Sequence, residues 1–185
     1  LPDETLTLKI LEEATTKMLP SYVIDVNVFI ALANKESSEH LISQIIRASL
    51  SGEFSIFITP EFKKEIRRTQ NKDNKLIQLC ESFPELGLVS EDKISPLKEK
   101  LRSAIFPDRD LKRKRAVQDE SDLTHLAYCI YHEVAGFITE EKAIIKAAAK
   151  LLKEHKLTVV APEAFNIDLP ANFDLAMLSV PLNHV

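Results

Sequence analysis

The sequence has 185 residues, 45% of them hydrophobic and 28% charged, which is the composition of one globular domain with room for modest additions and excludes a disordered chain. Its three glycines, Gly52, Gly87 and Gly136, stand apart, so neither a P-loop nor a GxGxxG turn, which need clustered glycines for close approach to phosphate, is present. A net charge of −4 argues against a protein that simply coats nucleic acid, while leaving local basic patches open.

In chain order, Leu6, Ile10, Ala14 and Met18 recur every four residues and predict a helix broken by Pro20, read as an N-terminal helical extension over 1–20. Tyr22-Val23-Ile24 predicts a buried strand ended by Asp25, followed by a short helix over 28–33 and another from Ser38, with Leu41, Ile42, Ile45 and Ile46 on one face. Phe54 to Ile58 predicts a second strand. Thr59-Pro60-Glu61 then carries three helix-start signals: a capping hydroxyl, Pro at the first helical position and a carboxylate facing the helix dipole. A helix is expected over 75–83, a short strand over 86–89, and a helix opening at Ser95-Pro96 and closed by Pro107. Residues 108–118 read as a polar, basic loop. The clearest helical stripe is Leu123, Leu126, Ala127, Ile130, Tyr131 and Val134, predicting a helix over 119–134 that Gly136 stops. Phe137-Ile138-Thr139 predicts a strand, Ile144 to Leu152 a helix, Leu157 to Val160 a last strand, and Pro162 to Phe165 a turn of helix. Residues 166–185 read as an irregular tail.

Apolar β runs alternating with amphipathic helices predict a three-layer α/β/α domain over 21–165 with a central, mainly parallel sheet. In such sheets the functional site lies beyond the carboxyl ends of the strands. Several acids stand there: Asp25 directly after the first strand, Glu61 and Glu65 in the helix after the second, Asp122 at the head of the clearest helix, and Glu140 and Glu141 after Thr139. Gathered at one rim, such carboxylates repel one another unless a cation binds or some stay protonated. Oxygen donors select hard ions, Mg²⁺ or Mn²⁺. Taken singly, acids near helix N-termini also serve as caps and dipole partners, so these features alone leave the reading at a metal site or helix capping.

Five segments resemble PIN-domain ribonucleases, especially the VapC-like toxins: Val23-Ile24-Asp25-Val26-Asn27-Val28-Phe29-Ile30-Ala31-Leu32, Ile58-Thr59-Pro60-Glu61-Phe62-Lys63-Lys64-Glu65-Ile66, Asp122-Leu123-Thr124-His125-Leu126-Ala127, Gly136-Phe137-Ile138-Thr139-Glu140-Glu141 and Val159-Val160-Ala161-Pro162-Glu163-Ala164-Phe165. They span 22–165 in the family's order. The resemblance implies an acidic tetrad of Asp25, Glu65, Asp122 and Glu141 as catalytic metal ligands, with Asn27 and Thr139 orienting ligands or a phosphate oxygen. It implies Mg²⁺- or Mn²⁺-dependent hydrolysis of RNA phosphodiester bonds without a covalent enzyme intermediate. An antitoxin protein and a homodimer are the partners it implies. Glu141 departs from the family's usual Asp; Glu140 is the alternative for that place.

The dense basic run Arg109 to Arg115 has two readings: an RNA-binding strip of Lys112, Arg113, Lys114 and Arg115, or a solvated loop. Lys63, Lys64, Arg67 and Arg68 read as a solvated helix face, with contact to RNA as the alternative. His125, one turn after Asp122, has ligand spacing but reads as a surface or core-edge histidine. Cys80 and Cys129 lack neighbouring Cys or His at ligand spacing, so neither a zinc site nor a disulfide framework is indicated, and two sparse cysteines suit a cytoplasmic setting. No run reaches the roughly 20 apolar residues of a membrane span, and the acidic start Leu1-Pro2-Asp3-Glu4 lacks the basic region of a signal peptide. A first residue other than Met predicts a trimmed form or a piece of a longer chain. Two rival functions remain: a non-catalytic PIN-like module binding RNA or protein, and a haloacid-dehalogenase-type phosphatase, which needs Asp-x-Asp where this chain has Asn27.

Overall fold

A computed structural model describes residues 19–33, 39–68, 74–107 and 115–165. The N-terminal helical extension, most of the basic run and the C-terminal tail expected from the sequence lie outside the described residues. Four strands, β1 (Ser21–Ile24), β2 (Ser55–Phe57), β3 (Gly136–Ile138) and β4 (Thr158–Val160), form one sheet in the order β2-β1-β3-β4. Every pairing is parallel, as the alternation of strands and helices predicts.

The helices are α1 (Val26–Ala33), α2 (Glu39–Leu50), α3 (Pro60–Arg68), α4 (Asn74–Glu81), α5 (Glu91–Ile105), α6 (Ala116–Tyr131), α7 (Lys142–Lys146) and α8 (Ala148–His155), followed by a 3₁₀ turn over Pro162–Ala164. Because successive strand residues face opposite sides, the sheet feeds two cores. Ile24, Ile56 and Ile138 pack under α1 and α2 with Phe29, Phe62 and Phe83. Val23, Phe137 and Val159 pack on the other side with Leu101, Leu123, Leu126 and Leu151. The register puts Val23 beside both Phe57 and Phe137, and Phe137 beside Val159, so one apolar row crosses the whole sheet. Helices on both faces make the three layers. Gly136 is required by close approach: a Cβ there would lie 2.8 Å from the Thr158 carbonyl oxygen and 2.7 Å from the Tyr22 ring.

Four local expectations change. Residues 86–89 are not a strand; a single bridge joins Ile58 to Glu85, and the Tyr128 hydroxyl accepts from the Val89 amide instead of a strand neighbour. Helix α5 begins at Glu91 and carries Pro96 inside it, because a proline near the start removes only one backbone donor while Ile94, Leu101 and Ile105 bury the stripe. Helix α6 starts three residues early, at Ala116, which puts Asp122 in its second turn. The helix expected over 144–152 is two short helices meeting at Ala147. No helix among the described residues is long and apolar enough to cross a membrane.

Chain order places the connections so as to open a cleft. From β1 the chain moves to β2 on one side, then returns to β3 on the other. The carboxyl ends of β1 and β3 are therefore the point where the winding reverses, and Asp25 and Thr139 stand directly after those ends.

Candidate metal centre

Asp25 occupies the joint between β1 and α1. Its amide donates to the Ile138 carbonyl (2.9 Å), extending the parallel pairing by one residue, and its own carbonyl accepts from Val28 to open the helix. The side chain is fully buried. Thr139, from the matching position after β3, donates its hydroxyl to Asp25 Oδ2 at 2.6 Å. The Asn27 backbone amide also faces this carboxylate. Oδ1 is buried and has no hydrogen-bond partner among the described residues. A solitary buried carboxylate oxygen is costly, and native structures rarely leave one without a reason.

Helix α3 delivers Glu65. Thr59 caps it, its Oγ1 accepting from Phe62 N at 3.3 Å, as the Thr-Pro-Glu signal predicts. Phe62 and Ile66 go into the core, so Glu61 and Glu65, four residues apart, share the face turned to α6. From α6 come Asp122 and His125, three residues apart and both buried. His125 Nε2 lies 2.8 Å from Glu65 Oε2, and its Nδ1 lies 2.6 Å from Thr59 Oγ1. Potential ligand atoms of Asp25, Glu65 and His125 all fall within 4.8 Å of one another. Asp122 adjoins them; Gln118 donates to its Oδ1 at 3.1 Å.

The electrostatics are those of surplus negative charge. Burial pushes Asp25 above the usual carboxylate range, against the pull of His125 and Thr139. Burial, then the charge of Asp25, push Asp122 up to about 8. Burial works to lower His125, but its hydrogen bond to Glu65 and the charges of Glu65, Asp25 and Asp122 outweigh it and raise the imidazole. Protons thus stand where a cation's charge would otherwise be wanted. The carboxylate oxygens of Asp25, Glu65 and Asp122, the solitary Asp25 Oδ1 among them, fit a hard divalent ion. A cleft of about 250 Å³ lined by Asn27, Ile30, Glu65, Arg68 and Gln118 leads to the cluster.

The remaining expected site residues stand farther out. Glu141 begins α7, where its carboxylate accepts from Ala143 N at 3.3 Å and its amide donates to Thr139 Oγ1 at 3.0 Å. It is therefore a helix cap tied to the site through Thr139. Glu140 is half-buried, and with Glu141, Arg115, Lys142 and Lys146 it lines an outer groove of about 790 Å³. Arg115 is exposed just before α6; Lys112, Arg113 and Lys114 lie outside the described residues.

Sequence reasoning undervalued His125 and Thr59. The 122/125 spacing signalled that His125 shares a face with Asp122, but only the packing of α3 against α6 shows a buried ring between two partners. Thr59 was legible as a cap and not as a neighbour of a residue 66 positions away.

No family model matches this sequence, and no curated protein matches it. The chain is similar to one in the crystal structure of VapBC2 from Rickettsia felis bound to a DNA fragment from their promoter, at 12% identity and a TM-score of 0.48, covering 76% of this chain and 98% of that one.

Proposed function

We propose that this protein is a PIN-like, metal-dependent ribonuclease that hydrolyses RNA phosphodiester bonds at the rim of β1 and β3. One observation carries the reading: Asp25, with its buried and solitary Oδ1, gathers with Glu65 and Asp122, acids that two further motif segments supply. Asp25, Glu65 and Asp122 would hold Mg²⁺ or Mn²⁺, with Glu141 or Glu140 completing the outer side. When bound, such an ion supplies charge stabilisation at a phosphoryl oxygen and acidifies water.

The chain's own groups do the rest. Thr139 fixes Asp25 Oδ2 and leaves Oδ1 for the ion. Asn27 lines the cleft and would hydrogen-bond a phosphate oxygen there. Arg68 lines the same wall and offers charge for a neighbouring phosphate, as does exposed Arg115 beside the outer groove. Lys112, Arg113 and Lys114 extend that basic strip in sequence. An antitoxin protein and a second copy of the chain are proposed as partners on the motif resemblance.

The test is cleavage of single-stranded RNA in Mn²⁺. Wild-type protein is expected to cleave, and both Asp25→Asn and Asp122→Asn to lose more than about 100-fold in rate, since groups that merely support a ligand already cost about 10–100-fold. RNA binding without cleavage would instead establish a non-catalytic module, and hydrolysis of a phosphomonoester in place of RNA would establish a phosphatase.

A further inference from the structure

His125 occupies a place that neither a helix cap nor an ordinary core residue explains. Its ring is fully buried, lies 6.2 Å from the Phe137 ring at 25° to its plane, and has a polar partner at each nitrogen. Three elements that are remote in sequence hold it: the β2–α3 junction through Thr59, α3 through Glu65, and β3 through Phe137.

The hydrogen-bond inventory sets a direction. Thr59 Oγ1 has one proton and two lone pairs, and one lone pair accepts from Phe62 N. Its proton is therefore free to go to His125 Nδ1, 2.6 Å away. A ring that accepts at Nδ1 carries its proton at Nε2, which points at Glu65 Oε2. If Nδ1 is also protonated, Thr59 accepts in place of donating and the Nε2–H still points at Glu65. In both cases Glu65 Oε2 is occupied and the carboxylate plane is held.

Resting on the metal-site reading above, we propose that Thr59 and His125 form a positioning relay: Thr59 orients the His125 ring, and His125 holds Glu65 Oε2 so that Oε1 is the oxygen turned to the cation. His125 is on this account a support to a ligand and not itself a ligand. Supports of this kind typically change metal affinity about 10–100-fold when removed.

The test uses Mn²⁺ itself as probe on the whole chain. Titration of Mn²⁺ by calorimetry is expected to show His125→Leu binding about 10–100-fold more weakly than wild type. His125→Gln, whose amide can still donate to Glu65, and Thr59→Ser, which keeps both the cap and the hydroxyl proton, should stay within about threefold of wild type. Metal-free melting of each variant separates a lost fold from a lost relay, and the Gln and Ser variants keep the test alive if the Leu variant unfolds. Pulsed electron paramagnetic resonance on Mn²⁺-loaded wild type should show no directly coordinated nitrogen. A directly bound ¹⁴N, or His125→Leu binding Mn²⁺ as tightly as wild type, overturns the relay while leaving the metal site standing. Wild type that binds no Mn²⁺ overturns both.

Discussion

Glu61 and Glu65 stand one turn apart on the same face of α3, yet their surroundings differ in sign. Glu61 meets Arg68, Lys64 (3.2 Å) and the Ser121 hydroxyl (2.9 Å). Burial pushes its pKa up, but hydrogen bonds from Ser121, Lys64 and Arg68 prevail and hold it below the usual carboxylate range. Its charge is balanced by the chain. Glu65 faces one imidazole and two further carboxylates, which burial forces toward their protonated forms. Four residues therefore separate a structural ion network from a cluster whose three carboxylates outnumber its one imidazole. Acidic residues in themselves do not mark a metal centre. The marker is a buried group whose negative charge exceeds what its neighbours can match.

The largest effect expected to sharpen this contrast is on stability against pH. Asp25, Asp122 and His125 all have raised values in the folded protein. A group with a folded pKa above its unfolded one contributes stability below the unfolded value, and that contribution is lost as pH rises through the folded value. For Asp122 the window runs from 3.8 to about 8. Glu61 and Glu120 are lowered, so their contribution is lost only on going to acid, below the usual carboxylate range. Metal-free protein should therefore melt on the order of 10 °C lower at pH 8 than at pH 5. Mn²⁺ should reverse the trend, because its ligands must be deprotonated, and Asp122→Asn should flatten it. Melting that rises from pH 5 to pH 8 without metal would break the contrast.

A smaller effect is expected from Glu61→Gln. It weakens the Arg68 and Lys64 pairs, retains the Ser121 contact and should cost about 1–2 kcal/mol in denaturant unfolding, while the stabilisation by Mn²⁺ stays at its wild-type size. Loss of that Mn²⁺ shift would make Glu61 part of the metal centre. Smallest of all is Glu91→Gln: its carboxylate meets Lys98 at 2.8 Å but is 73% exposed. Such a pair is worth less than about 1 kcal/mol, so unfolding should be nearly unchanged and cleavage unaffected.

Much of the fold was legible because it rests on local rules. Strand β1 reads as a short β-branched run, and α3 announces itself through Thr59-Pro60-Glu61. The paired isoleucines of α2 mark its buried side. Errors fell where tertiary contacts override local signals. Pro96 reads as a helix start but sits inside α5, since the buried stripe of Ile94, Leu101 and Ile105 continues through it. Leu88 reads as part of a strand, yet it is 85% exposed and lies outside the sheet.

For the candidate site, sequence by itself determined which acids follow which strands, because an acid directly after an apolar run is visible in one dimension. It marked Asp25 in this way, and the motif resemblance added Glu65, Asp122 and Glu141. Tertiary structure decided which of those acids have a counter-charge of their own. Glu141 is turned to capping α7, Glu61 is neutralised by Arg68 and Lys64, and His125 is drawn between Thr59 and Glu65. Glu61 meets Ser121, and Glu65 meets His125, across 60 residues of sequence, and spacing along the chain carries no record of those contacts.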